Sequence, residues 1–220
     1  MTMNEWTEMF SNWLKEGKED SESLLDIPWD LEVKKVEGTE NDLIVATHPK
    51  IPFNIEVVVT KHYANLVINP IIPTDALDVP ERMRLYKKLL HLNTDLNLMK
   101  AGLIGYDDNP VIQVDLDLHS LSKQEFNDAL TLLVVGAHNL IKILDLTKEM
   151  EEFMVNKYKT IVAEKLASGE SKEQILEFLT DRAGLQPADA KTFLKQMMDL
   201  LEKNGKAEKE NGPSPGPMYV

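Results

Sequence analysis

VIQVDLDLHSLSKQEFNDALTLLVVGAHNLIKILDL, residues 111–146, decides the fold, because its two halves follow two different periods. Ile112, Val114, Leu116 and Leu118 alternate with Gln113, Asp115 and Asp117, which is the pattern of a strand with one wet face. From Ser122 the period changes. Ser122 and Glu125 have the spacing of a capping box, and Leu121 and Phe126 that of a hydrophobic staple. Phe126, Ala129, Leu130, Leu133, Val134, Ala137, Leu140, Ile141 and Leu144 then gather on one stripe of a 3.6-residue helix.

Working outward, the turn formers Asp107-Asp108-Asn109-Pro110 join this strand to the short run Leu103–Tyr106, so the two read as an antiparallel hairpin. Before them a helix fills Val79–Met99, with Pro80 in its first turn. The wider stretch Ala64–Leu146 is thus a strand, a helix, two strands and a helix. Further upstream, Leu31–Glu37, Leu43–Thr47, Ile55–Thr60 and Leu66–Ile72 make a meander of three or four strands. Pro70 and Pro73 move the last run to an edge or end it near Asn69.

At the start of the chain Trp6, Met9, Phe10, Trp13 and Leu14 lie on one face of an amphipathic helix that Gly17 ends. That stripe either lies on the sheet or docks on a partner. Six acidic residues and few lysines between Lys15 and Asp30 read as a solvated linker. Beyond Leu146 the pattern is all-helical: Lys148–Ala167, a second helix from the Ser171/Gln174 capping box to about Arg182, and a third from Pro187 to about Lys203. Ile175, Leu176, Phe178 and Leu179 would meet Phe193, Leu194, Met197 and Leu201 in a small hairpin that buries little by itself. The expected division is 1–146 for an α+β domain, 147–204 for a helical appendage and 205–220 for a disordered, proline-rich tail. The appendage either packs on the main domain or binds something else.

The chain carries a net charge of −13, whose average field opposes nucleic acid and anionic membranes as partners. It holds no cysteine, which removes thiolate nucleophiles, disulfides and cysteine metal sites together. No apolar run reaches the roughly 20 residues of a membrane span and the start lacks a signal-peptide pattern, so a cytoplasmic location is expected. His48, His62, His91, His119 and His138 show no paired metal spacing, and His138, at the border of an apolar stripe, reads as a structural histidine. Asp115 and Asp117 share a strand face, and with no further ligands in view they read as a solvated surface. No nucleophile elbow or phosphate loop appears. No cofactor, no metal and no catalytic residue is expected.

Leu-Val-Ile-Asn-Pro-Ile-Ile-Pro at 66–73, the helix with Tyr86-Lys-Lys-Leu-Leu-His-Leu-Asn93, Gly105-Tyr106, Val111–Leu118 and Leu121-Ser-Lys-Gln-Glu-Phe126 come in an order, behind an aromatic N-terminal helix, that resembles the YbjN and type III secretion chaperone-like family. The resemblance spans about residues 3–146. It implies an α-β-β-β-α-β-β-α fold and a non-enzymatic module, often dimeric, that holds a protein client.

On the helix from Val79, Met83, Leu85, Tyr86, Leu89, Leu90, Leu92, Leu96 and Met99 cover about half the circumference, wider than the usual stripe of about 100°. The excess suits a two-fold interface or cover by the C-terminal helices. The expected function is therefore a protein-interaction or chaperone-like module that self-associates and binds a protein client through Trp6, Phe10, Trp13, Leu85, Leu89 and Leu92. The alternative is an enzyme or small-ligand protein with a site assembled from distant residues. A cleft joining Asp115 or Asp117 to a histidine, with strongly shifted pKa values, would favour it.

Overall fold

The computed structural model describes residues 1–70, 74, 77–95 and 97–210, with side chains as far as residue 200. It divides into two compact units, Met1–Phe153 and Met154–Val220.

Unit 1 is an α+β domain. Helix α1 (Met3–Lys15) leads into strands β1 (Asp30–Lys35), β2 (Asp42–Thr47), β3 (Ile55–Val59) and β4 (Tyr63–Ile68), then α2 (Val79–Asp95), β5 (Lys100–Ile104), β6 (Asn109–Asp117) and α3 (Lys123–Ile143). The strands form one six-stranded antiparallel sheet in the order β1-β2-β3-β4-β6-β5. The start of α3 carries the expected chemistry, a complete capping box of Ser122 with Glu125, and Thr2 with Glu5 forms another at the start of α1. One face of the sheet supplies Ile44, Val57, Leu66, Ile112 and Val114 to the core, and α1, α2 and α3 supply Phe10, Leu89 and Phe126 to the same cluster. Phe10 of α1 stacks on Phe126 of α3 at 4.8 Å between ring centroids, which places both helices on the same side of the sheet.

Three expectations about unit 1 need correction. The segment 15–30 is not a solvated linker: Leu25, Ile27 and Trp29 are buried, and polar anchors hold the chain between them. Asn127 Oδ1 accepts from Ser23 Oγ and from Leu25 N–H, and Lys18 N–H donates to Asp26 O. Acidic residues dominate the letter count there, but alternate apolar side chains decide the packing. Helix α2 stops at Asp95 rather than Met99, because Leu98 takes a left-handed φ of 67° that turns the chain back into β5. The fourth upstream run begins at Tyr63 rather than Leu66 and lies between β3 and β6, not at an edge, while its end at Ile68 is the one read near Asn69; Ile71, Ile72, Pro73 and Leu96 lie outside the described residues.

Helix α4 (Thr147–Ala167) crosses from the first unit into the second, which continues with α5 (Lys172–Glu177), a π-helical turn Phe178–Arg182 and α6 (Pro187–Glu210). Ser171 and Gln174 form the expected capping box. Unit 2 has a core of its own in Val162, Ile175, Phe178, Leu179, Ala183, Ala190, Leu194 and Met197, more than the hairpin contact expected of it. The third helix, α4, supplies the missing cover through Val162. Gly184, at φ 74°, makes the turn into α6, a conformation that suits glycine because it carries no Cβ. Helix α6 runs to Glu210, past the point where the sequence suggests a tail from residue 205, and 211–220 lie outside the described residues. No described helix is long and apolar enough to cross a membrane.

Candidate functional site

The residues singled out for partner binding are packing residues. Trp6, Phe10, Leu85, Leu89 and Leu92 are buried, none more than 7 % exposed. Trp13 is half-buried against the same core, with its ring 5.7 Å from that of Phe126. The N-terminal stripe lies on the sheet, since a helix with this much aromatic area gains most by covering the apolar sheet face beside it. The wide stripe of α2 divides. Its Leu85–Leu89–Leu92 side enters the core, while Met83 and Leu90 stay exposed.

What unit 1 leaves uncovered is the second face of the sheet. Strand alternation sends every other side chain there, and the register aligns them in cross-strand rows. One row runs Lys34, Leu43, Val58, Asn65, Asp115, and the next Glu32, Val45, Glu56, Val67, Gln113, Lys100. Leu43, Val45, Val58 and Val67 are half-buried among their strand neighbours, and among the described residues of unit 1 no helix lies on them. Val111, at the far end of this face, is buried. The face therefore carries a cluster of aliphatic side chains around Glu56, with further polar groups at its margins.

Its polar margin is organised. Toward the β3–β4 turn a concavity of about 790 Å³ is lined by Val58, His62, Asn65, Gln113, Asp115 and Asp117 among others. Lys100 Nζ and Asn65 Nδ2 both donate to the Asp115 carboxylate. The Lys100 hydrogen bond is the main cause of an Asp115 pKa below the ordinary carboxylate value; Asn65 and the Lys100 charge add to it, against a smaller opposing push from burial. Asp115 is thus held as an anion. Asp117 Oδ1 accepts from His119 N–H at 2.9 Å, and Thr60 Oγ1 braces the turn by donating to Tyr63 O at 2.8 Å and accepting from Tyr63 N–H at 3.1 Å. The concavity does bring His62 beside Asp115 and Asp117, the juxtaposition that would favour a ligand site. Yet Asp115 is already engaged by a cation and an amide, and an engaged, acidified carboxylate is a poor proton acceptor near neutral pH. Among the described residues no group of three or more His, Cys, Asp or Glu side chains is placed to hold a metal ion.

His138 and His48 are structural in their contacts. His138 Nδ1 donates to Val134 O at 2.9 Å and its ring meets Phe53 edge-on. The sequence offered no sign that His48 would be buried at 1 % exposure. Its Nδ1 accepts from Lys50 N–H at 3.2 Å, which leaves Nε2 to donate to Glu19 Oε2 at 3.1 Å. This pair pins the segment 15–30 to the β2–β3 connection.

Charge is divided between the units. Residues 154–220 hold ten Lys and Arg against ten Asp and Glu, so the whole excess of −13 lies in residues 1–153. The net charge of the chain is therefore that of unit 1.

Comparison with known families places both units. Residues 9–144 match the model of a domain of unknown function, DUF8183, and residues 145–209 match that of a second domain of unknown function, HTH_78. No curated protein matches the chain.

Proposed function

We propose, for a chain that belongs to the DUF8183 family of domains of unknown function, that unit 1 is a non-enzymatic, chaperone-like binding module that holds a protein partner on the bare face of its sheet. The observation that carries this reading is the aliphatic cluster of that face, Leu43, Val45, Val58 and Val67, on which no helix lies among the described residues of unit 1. An antiparallel sheet can keep one face in water, but its wet face is then ordinarily polar. Four aliphatic side chains on neighbouring strands β2, β3 and β4 suit burial against a second protein. The acidic surface of unit 1 keeps the assembly soluble.

Affinity capture with the full chain, compared with Val58→Asp and Val67→Asp, tests it. These side chains point away from the core, so circular dichroism should stay unchanged while the captured partner is lost. Identical capture by wild type and both variants would place the partner elsewhere and remove the reading.

The polar concavity beside this face favours a second reading, a site for a small polar ligand between His62, Asn65, Gln113 and Asp117. An Asn65→Ala variant that loses a ligand while retaining every protein partner would select it.

A further inference from the structure

Glu56 stands at the centre of the bare face, on β3, directly across from Val45 on β2 and Val67 on β4. Val58, two residues along the same strand, points to the same side. The other charges of these rows are engaged: Glu32 with Lys34 at 3.8 Å, and Asp115 with Lys100 and Asn65. Among the described residues the Glu56 carboxylate forms no hydrogen bond and no ion pair, and the side chain is half-buried between valines. A carboxylate in that position tolerates its surroundings only while water reaches it. An occupant that seals the face must replace that water with a cation, since a buried carboxylate without a partner is costly.

Resting on the reading that this face is the partner surface, we infer that its occupant is a segment of another protein presenting a lysine or arginine amid aliphatic side chains, with the cation on Glu56 and the aliphatics on Val45, Val58 and Val67. Lysine and arginine suit the place because their stems lie along apolar surface while the charge reaches a polar partner. The excess of −13 in residues 1–153 attracts such a segment before contact. A second copy of this chain suits it badly. A two-fold axis through the centre of the face would set Glu56 against its own equivalent, and like charges directly opposed are unfavourable.

The test uses the full chain with labelled valine and leucine methyl groups and three synthetic extended peptides. In the first, lysine and arginine alternate with valine and leucine; the second keeps its charges but has serine at the aliphatic positions; the third has glutamate in place of each cation. The first peptide should shift the methyl signals of Val45, Val58 and Val67 saturably, and the second should bind about tenfold more weakly or worse. Glu56→Gln, nearly isosteric, should weaken the first peptide by about tenfold, and Glu56→Lys should exchange the preference and take the third. Methyl shifts on this face that are indifferent to Glu56→Gln would overturn the inference and leave the bare-face reading standing. Shifts confined to other residues would overturn both. Light scattering that shows a dimer dispersed by Val58→Asp would put a second copy on the face and overturn the inference as well. Should Glu56→Lys fail to fold, Glu56→Gln decides alone.

Discussion

Leu89 is 3 % exposed and sits in the core between α2 and the sheet, so Leu89→Ala should destabilise unit 1 by about 2–5 kcal/mol, and Leu89→Asp should unfold it. Chemical denaturation followed by tryptophan fluorescence measures this; an unchanged midpoint would mean the side chain is not core. The other residue of consequence is Asp42, buried at 6 % exposure, which accepts from Thr7 Oγ1 at 2.7 Å and pairs with Lys35 at 2.5 Å. Burial pushes its pKa up, but the Lys35 and Thr7 hydrogen bonds and the Lys35 charge together outweigh it, and the pKa lies below its ordinary 3.8. A depressed carboxylate contributes stability in full above the unfolded value, and the contribution disappears as pH falls through the folded one. The stability gap between wild type and Asp42→Asn should therefore be constant near neutrality and shrink as pH drops below about 4. A gap that stays constant to pH 2 would show that the pair contributes nothing through titration. Periodicity made Phe10, Leu89 and Phe126 legible as apolar positions, because period reports which face is buried. It could not report what buries that face, and for that reason the stripes of α1 and α2 left a docking surface open beside the core reading. Asp42 and His48 had no linear signal at all: their partners, Thr7 and Glu19, lie 35 and 29 residues away.

At the level of elements, α2 and β5 form the exposed margin of the sheet, where an edge strand invites pairing with other chains. The outward backbone of Ala101 is already occupied. Asn93, near the end of α2, accepts from Ala101 N–H at 2.5 Å and donates to Ala101 O at 2.9 Å, so one amide side chain takes the place of a neighbouring strand. Beyond it Leu103 and Ile104 are exposed at 39 % and 53 %. Asn93→Ala should cost about 1–3 kcal/mol for the two groups left unpaired and should increase concentration-dependent association, since Ala101 would rejoin a free apolar edge. Sedimentation of the variant over a range of concentrations checks it; a monomer as stable as wild type would show that the edge is protected by other means. The elements themselves were largely legible. Capping boxes at Ser122 and Ser171 named helix starts because their chemistry is local, and the Asp107–Pro110 turn named the hairpin. Helix α2 was read too long because Leu98 and Met99 continue its apolar spacing, while the left-handed turn at Leu98 is imposed by burial of Met99, which lies close against Gly136 of α3. The segment 15–30 was misread for a related reason: composition averages over residues, and three buried side chains among many acidic ones are invisible to an average.

For the molecule as a whole, averaging hides a second contrast. The net charge of −13 argues against anionic partners for the chain, but only residues 1–153 carry it, so the argument holds for unit 1 and is silent for unit 2. Within unit 1 the aliphatic side chains of the sheet face and the net charge should act at different stages of binding. If the proposed basic segment binds there, long-range attraction sets how often it arrives and contact with Leu43, Val45, Val58 and Val67 sets how long it stays. Raising ionic strength from about 0.01 M to 0.15 M shortens the screening length from about 30 Å to about 8 Å, so the association rate of the peptide in which lysine and arginine alternate with valine and leucine should fall by about tenfold or more. Its dissociation rate should change far less, because packed aliphatic contacts are insensitive to screening. Val58→Asp should show the converse, a faster dissociation with an association rate close to that of wild type. Stopped-flow measurement of both rates at several salt concentrations separates the two contributions. A salt dependence that falls mainly on dissociation would show that charge, rather than the aliphatic cluster of the sheet, holds the bound segment.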